Sequence, residues 1–275
     1  MTRYYCIGGL ILSLSGPVFA EREELSLFRC PPEPPCLRVE AKPVKLPELP
    51  TSPVLHRTLF TQYYGGGRVV CLEDGRPLFV EREEENRIQV QIPQYALQYY
   101  DSNIALRILN LPRRLLAHGG LFLHAACVEH NGGALILTAP SGGGKSTQAA
   151  LWKKHRGAQI INGDRTLLRK LDGVWYAFGS PYCGTSGICL NRAAPVRAIV
   201  LLGKSADNRI RPAEPRQTLT ALLGGITYDA WDRNQTEQVL SLAEELMRVV
   251  PVFRLDCRPD ESAVKTLEDI LWTIS

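Results

Sequence analysis

The sequence predicts an α/β fold with a mixed sheet, preceded by a small β-rich N-terminal module. Prolines crowd the first part of the chain, strand-like runs alternate with amphipathic helices in the second part, and one strand there leads into a glycine-rich loop and a helix. The 275 residues are 45% hydrophobic and 22% charged, a composition that excludes a collagen-like or fully disordered chain. We therefore expect one large domain or two small ones.

The β-rich module is predicted to span residues 1–98. Prolines recur from residue 31 to residue 53, a spacing that forbids a long helix and favours extended segments and turns. Strand-like runs follow at 68–72, 78–81 and 87–92. The module carries no motif that indicates its role.

Residues 1–20 allow two interpretations. The favoured one is a strand over 4–14, because glycines and serines interrupt the apolar stretch and Ser15-Gly16-Pro17 is typical of a turn. The alternative is a secretory signal cleaved after Ala20. The sequence contains no run of 18 or more apolar residues that would predict a transmembrane helix. Because the chemistry inferred below needs ATP, we expect a cytoplasmic protein.

The second domain is predicted to span residues 99–275. It begins with a helical connector at 101–117, interrupted at Pro112. Ser262 is expected to be the N-cap of the closing helix. The predicted strands are 121–128, 134–139, 159–162, 166–171, 174–178, 196–202 and 252–256, and the predicted helices are 146–155, 235–249 and 262–272.

The strongest local signal is residues 134–147, Ala-Leu-Ile-Leu-Thr-Ala-Pro-Ser-Gly-Gly-Gly-Lys-Ser-Thr, in which a strand leads through glycines into a helix. This is the context of a phosphate-binding loop, where glycines let backbone N–H groups turn toward phosphates and the helix N-terminus adds unpaired donors. The pattern has Gly where Ala139 stands here, which is a mild departure. The residues predicted to bind ATP are Ser141, Gly142, Gly143, Gly144, Lys145, Ser146 and Thr147.

A nucleotide site of this kind needs Mg²⁺, with one ligand from the loop and a second from a neighbouring strand. The hydroxyl of Ser146 and the carboxylate of Asp164, which follows the apolar run 159–162, are the predicted ligands. Asp256 is a weaker rival. None of the eight cysteines forms a Cys-x-x-Cys pair, so free thiols are favoured over a zinc site.

Residues 120–170 resemble HPr kinase/phosphorylase, with relatives among the lasso-peptide kinases and, more distantly, phosphoenolpyruvate carboxykinase. The resemblance lies in Leu123-His124-Ala125-Ala126, the Gly132-Gly133 turn, the phosphate loop, and Asn162-Gly163-Asp164 in the place of an Ala-Asp-Asp motif. It implies a carboxykinase-like core and a kinase that transfers the γ-phosphate of ATP to a hydroxyl of a peptide, a protein or a small molecule.

One departure from that family concerns the general base. The first aspartate of the motif, to which the resemblance assigns this role, is Gly163 here, so only Asp164 carries over. His124 could take the proton, Asp164 could serve both roles, or only nucleotide binding could remain. Arg165 is a further candidate that would neutralise charge in the transition state. The loop by which HPr-specific enzymes hold HPr is not recognisable, so HPr is not the expected substrate.

Two further segments could serve the site. Residues 179–187 form a glycine-rich polar stretch that could hold an acceptor or be a surface loop. Cys183 within it has no sequence context that supports a thiol mechanism. Arg209, Arg211 and Arg216 are expected in a solvated loop rather than over an anionic ligand.

The predicted function is therefore an ATP-dependent kinase acting on a hydroxyl acceptor. The alternatives are a nucleotide-binding regulator or assembly protein with little turnover, and an ATPase, for which neither a water-positioning residue nor an arginine finger can be assigned. The net charge of +4 is spread evenly and no Lys/Arg run exceeds two residues, so we expect neither nucleic acid nor a membrane as partner. A homo-oligomer is left open.

Overall fold

The computed structural model describes residues 2–16, 23–100 and 102–272. Its contacts divide the chain into two compact units, Met1–Asn110 and Leu111–Ser275. This division lies later than the boundary at 98/99 that the sequence predicts. The difference arises because the helix after residue 101 packs with the first unit, where Nη2 of Arg68 donates a hydrogen bond of 2.6 Å to the carbonyl of Arg107.

The N-terminal unit contains an eight-stranded mixed sheet in the order β1-β2-β3-β8-β7-β6-β5-β4. The pairs β2–β3 and β3–β8 are parallel and the others are antiparallel. The elements are β1 (Thr2–Ile7), β2 (Leu10–Ser15), α1 (Glu23–Ser26), β3 (Leu37–Val44), β4 (Val54–Arg57), β5 (Thr61–Tyr64), β6 (Gly67–Cys71), β7 (Pro77–Glu84), β8 (Arg87–Pro93), a 3₁₀ turn (Gln94–Tyr99) and α2 (Ser102–Leu109).

The prediction for the first strand is wrong. The strand expected over 4–14 is a hairpin, in which Ile7 of β1 pairs with Leu10 of β2 across Gly8 and Gly9. Both glycines have positive φ, 60° and 72°, which the tight two-residue turn requires and other residues rarely adopt. The alternative cleavage site at residue 20 lies outside the described residues. In the described part of the chain, no helix has the length and apolar character needed to span a membrane.

The C-terminal unit is a mixed α/β domain, as predicted. Its sheet has the order β10-β9-β12-β13-β14-β16-β15, with β11 paired to β9 and an additional parallel pairing of β10 with β14. The elements are α3 (Leu111–Ala117), β9 (Gly120–His130), β10 (Gly133–Thr138), α4 (Lys145–Arg156), β11 (Gln159–Asn162), β12 (Arg165–Leu171), β13 (Val174–Phe178), β14 (Ala193–Lys204), β15 (Arg209–Pro212), α5 (Pro215–Gly225), α6 (Arg233–Val249), β16 (Val252–Cys257) and α7 (Glu261–Leu271).

Helices cover both faces of this sheet. The helices α3, α5 and α6 contribute Leu116, Leu222 and Val239 to the core on one face. On the other face, α4 and α7 contribute Trp152 and Leu267. The central strand β10 is buried along its whole length, which is why its sequence is continuously apolar rather than alternating.

The long strand β9 brings the ends of two other strands together. Its first half pairs with β12, so that His124 lies opposite Arg165 at the start of β12. Its second half pairs with β10, so that Ala125 lies opposite Thr138 at the end of β10. The loop that follows β10 and the residue that precedes β12 therefore both lie beside His124.

Three local predictions are wrong. The connector helix breaks at Asn110, which has a φ of 44°, whereas Pro112 lies in the first turn of α3, where a missing N–H costs nothing. The N-cap of α7 is Asp260, whose carboxylate accepts from the amide of Ser262 at 3.0 Å. The segment expected to be a solvated loop forms β15 and α5, because β15 pairs with β16 and Pro215 begins the helix.

Candidate functional site

The glycine loop between β10 and α4 depends on glycine for two different reasons. Gly142 and Gly144 have φ values of 71° and 97°, in the left-handed region that favours glycine. Gly143 has no such requirement, but a Cβ there would lie 2.5 Å from the Cβ of Ala139. The side chains of Ser141, Ser146 and Thr147 around this loop are exposed. The loop therefore has the backbone conformation and the open surface that phosphate groups require.

Lys145 lies at the start of α4 and is 8% exposed. Its ammonium donates hydrogen bonds to the carbonyls of Ala139 at 2.9 Å and Pro140 at 3.4 Å. Burial lowers the pKa of Lys145, and the Asp164 carboxylate opposes this shift. The ammonium is thus held inside the loop, with the carboxylate of Asp164 in its electrostatic neighbourhood.

Asp164, His124 and Arg165 form one cluster. Nε2 of His124 is 3.1 Å from Oδ1 of Asp164, and Nε of Arg165 is 3.4 Å from Oδ2 of the same carboxylate. Burial lowers the pKa of His124, the charges of Lys145 and Arg165 lower it further, and Asp164 opposes them. The structure thus brings together the three residues predicted as catalytic and places them beside the lysine of the loop.

The position of Asp164 depends on Asn162, a residue that the sequence analysis did not select. The Oδ1 atom of Asn162 accepts hydrogen bonds from the amides of Asp164 at 2.8 Å and Arg165 at 2.7 Å. Its Nδ2 donates to the carbonyl of Ser180 at 3.0 Å. Asn162 is fully buried. The sequence Asn-Gly-Asp, typical of an Asx turn, was the signal that could have identified it.

The loop at 179–187 packs around Asp164. Ser180 is fully buried and its hydroxyl donates to the carbonyl of Arg165 at 2.6 Å. A Cβ at Gly184 would lie 2.6 Å from Cγ of Asp164. Cys183 is also buried. The interpretation of this stretch as a surface loop is therefore wrong for its first part, which forms one wall of the cluster.

The departure at Gly163 has a steric cause. A Cβ at this position would lie 2.0 Å from Oγ of Ser186, closer than any side chain tolerates. The hydroxyl of Ser186 is itself held by a hydrogen bond of 2.7 Å to the carbonyl of Cys183. An aspartate therefore cannot occupy position 163 while the loop keeps this conformation.

The residues present fit the predicted Mg²⁺. The hydroxyl of Ser146 and the carboxylate of Asp164 are oxygen donors of the kind Mg²⁺ prefers. Asp164 retains partial exposure, with 29% of its side chain accessible. The rival Asp256 is instead paired with Arg254, whose Nη2 lies 2.7 Å from Oδ1. Among the described residues, no group of three or more His, Cys, Asp or Glu side chains could hold a metal ion by itself.

Two cavities meet at the glycine loop. One, of about 880 Å³, is lined by His124, the residues 138–141 and helix α5. The other, of about 520 Å³, is lined by residues 142–148 of the loop and by the ends of β14 and β16. A ligand held by the loop would therefore have space on both sides.

The C-terminal unit is a mixed α/β domain with a glycine loop between a buried strand and a helix. Comparisons with known proteins show the family to which the chain belongs. The family model described as SynChlorMet cassette protein ScmC matches residues 102–271, more than half of the chain. The chain belongs to this family. No curated protein matches the chain.

Among solved structures, the HPr(Ser) kinase/phosphatase from Coxiella burnetii is similar to this chain. The two are 16% identical, with a TM-score of 0.33, over 53% of this chain and 92% of that chain.

Proposed function

We propose that the C-terminal unit is an ATP-dependent kinase that transfers the γ-phosphate to a hydroxyl group. The observation that carries this proposal is the convergence of Lys145, His124 and Asp164, which come from three separate segments and influence one another electrostatically. A glycine loop alone would account for nucleotide binding. A half-buried carboxylate–histidine pair next to its lysine adds a group able to take a proton from an acceptor.

The loop binds the phosphates of ATP in this proposal. The backbone amides of Gly142 to Lys145 and the N-terminus of α4 donate to phosphate oxygens, and the ammonium of Lys145 neutralises negative charge. Ser146 and Asp164 would hold Mg²⁺, which would draw charge from the phosphate oxygens. The ammonium exchanges its two carbonyl partners for phosphate oxygens as ATP enters.

The Asp164–His124 pair takes the proton of the acceptor. The lowered pKa keeps His124 neutral near pH 7. With Nε2–H donating to Asp164, the free Nδ1 accepts the hydroxyl proton while the acceptor oxygen bonds to the γ-phosphorus. The bond between that phosphorus and the bridging oxygen breaks and ADP leaves with its electrons. Phosphoryl transfer depends mainly on positioning, so this weak base suffices in place of the missing aspartate at position 163.

Arg165 has two contacts that suit a charge-neutralising role. Its guanidinium lies 3.4 Å from Asp164 and donates to Oγ1 of Thr227 at 3.3 Å. Both contacts hold the cation beside the Asp164–His124 pair. From there it opposes the negative charge that develops on the phosphoryl oxygens during transfer.

The second candidate function is a nucleotide-binding regulator with little turnover. The glycine at position 163 favours it, because the residue that the resembled family uses as base is absent and sterically excluded. Both candidates require nucleotide binding at the loop, and they differ in whether the phosphate is transferred.

Nucleotide binding is tested by thermal unfolding of the wild type and of Lys145→Ala, each with and without Mg²⁺–ATP. A ligand at 100 times its Kd stabilises a one-site protein by about 2.7 kcal/mol, so the wild type is expected to unfold at a higher temperature with ATP and Lys145→Ala is not. Lys154→Ala on the exposed side of the same helix is the matched control and is expected to behave as the wild type. An equal response of the wild type and Lys145→Ala would contradict the assignment of the loop.

A further inference from the structure

The cavity of about 880 Å³ beside His124 has a lining that indicates what it binds. Building on the kinase function proposed above, we propose that it takes an acceptor with three chemical features: a hydroxyl, an apolar body and one carboxylate. The hydroxyl reaches the Asp164–His124 pair, the apolar body fills the cavity along α5, and the carboxylate binds Arg216.

The location of the cavity assigns it to the acceptor rather than to the nucleoside. The smaller cavity is lined by residues 142–148, which include the amides that would hold the phosphates. The larger one contacts the loop only through residues 139–141 and is the one that His124 lines. A nucleotide held by the loop therefore has its nucleoside on the smaller side, and the larger side, next to the proton acceptor, remains for the second substrate.

The wall formed by α5 and the end of β14 is mainly apolar. Leu201 and Leu202 line it and are 3% and 4% exposed, and Ala221 and Gly225 extend it along the helix. Gly224 lies in the same wall, and a Cβ there would meet nothing within 4 Å. Glycine is unfavourable inside a helix, and at this position it leaves the cavity wide enough for a bulky apolar group.

The charged side chains of the lining differ in their partners. Arg254 is paired with Asp256 at 2.7 Å. Arg216, in the first turn of α5, has no ion-pair partner among the described residues. A guanidinium binds a carboxylate through two parallel hydrogen bonds, so Arg216 supplies the site for one. Glu214 also lines the cavity. Its negative charge repels a doubly charged phosphate more strongly than a singly charged carboxylate.

The test measures binding of two matched probes by calorimetry in the presence of Mg²⁺ and a non-hydrolysable ATP analogue. One probe is N-acetyl-Leu-Leu-Ser with a free carboxylate, and the other is the same peptide as its amide. The wild type is expected to bind the carboxylate probe about tenfold more tightly, because only this probe pairs with Arg216. A third probe, 3-hydroxydecanoate, has the same three features without peptide bonds and distinguishes a peptide source from a free hydroxy acid.

Three variants separate the contributions. Arg216→Gln is expected to remove the preference for the carboxylate while leaving amide binding unchanged. Gly224→Leu is expected to weaken the binding of all three probes, because the leucine side chain fills the cavity. Arg211→Gln, an exposed arginine of β15 outside the cavity lining, is the matched control and is expected to keep the wild-type preference.

Equal binding of the carboxylate and amide probes by the wild type would overturn the proposal, as would the absence of binding by every probe while the ATP analogue still binds. Loss of binding of the ATP analogue itself would instead overturn the kinase function. Tighter binding of 3-hydroxydecanoate than of the peptide supports the proposal and identifies the acceptor as a free hydroxy acid.

Discussion

The phosphate loop and the Asp164 turn lie side by side but are held in different ways. The loop is determined by its own neighbours, since Gly143 donates to the carbonyl of Pro140 and Lys145 bonds to Ala139. Asp164 is held through Asn162 and Ser180, and Ser180 comes from a loop that follows a whole hairpin. A locally determined site tolerates changes elsewhere in the chain, whereas a site held from a distance fails when any support is removed.

The largest effect is expected from the proton acceptor. Glutamine at position 124 keeps a hydrogen bond to Asp164 but cannot take a proton, so His124→Gln should lower the rate of phosphoryl transfer about 10²–10⁴-fold. Stabilisation by Mg²⁺–ATP should persist, because the loop is unchanged. The exposed His118→Gln is the control, measured in the same transfer assay. A wild-type rate in His124→Gln would exclude this residue as the base.

The next largest effect is expected from removing the hydrogen bonds of Asn162, which hold Asp164 in place. Asn162→Ala removes the acceptor of two amides and the donor to Ser180 in a fully buried position, so it should lower the free energy of unfolding by roughly 2–4 kcal/mol. Asn162→Asp keeps the acceptor but turns a carboxylate oxygen toward the carbonyl of Ser180 in a fully buried position, so it should cost at least as much. Chemical denaturation of both variants gives the comparison, and equal stability of Asn162→Ala and wild type would show that the turn does not depend on this network.

A smaller loss of stability is expected from a side chain at position 163, where steric crowding requires glycine. A second substitution that relieves the crowding should reverse this loss. Gly163→Asp should lower the free energy of unfolding by about 1–3 kcal/mol, because its Cβ meets Ser186. The double variant Gly163→Asp with Ser186→Gly should regain most of this loss. Chemical denaturation of the single and double variants provides the double-mutant cycle. Additive losses in the two single variants would show that the two side chains do not conflict.

The smallest effect is expected in the pH dependence of kcat/KM for phosphoryl transfer. His124 must be neutral to accept a proton, and burial with the charges of Lys145 and Arg165 lowers its pKa below the ordinary value of about 6.5. The kcat/KM for transfer should therefore fall only as pH drops below 6.5. Arg165→Gln removes one of the lowering charges and should move this acid limb to higher pH. An acid limb above 6.5 in the wild type would contradict the neutral histidine.

The same contrast explains how much the sequence could predict. The loop could be predicted from residues 134–147 because the residues that determine its conformation lie within a few positions of one another in the sequence. Asp164 was predicted from its place after a strand, but Asn162 and Ser180 were not, because their importance arises from contacts between segments far apart in sequence.

The wrong predictions about the fold also arise from contacts and conformations that the local sequence does not reveal. Residues 4–14 are apolar enough for one strand, and only the positive φ values at Gly8 and Gly9 divide them into two. Arg209 and Arg211 were assigned to a loop because β15 gains its strand conformation from pairing with β16. Local propensity carries no information about such a partner.

The central claim is that this site moves a phosphoryl group rather than only binding a nucleotide. The most direct measurement is ³¹P NMR of Mg²⁺–ATP with the protein and N-acetyl-Leu-Leu-Ser. We expect ADP and a phosphoserine ester to appear together in equal amounts, and both to appear about 10²–10⁴-fold more slowly with His124→Gln. ADP with free phosphate, whether or not the peptide is present, would indicate an ATPase, and unchanged ATP bound to the loop would indicate a regulator; either result would contradict the account.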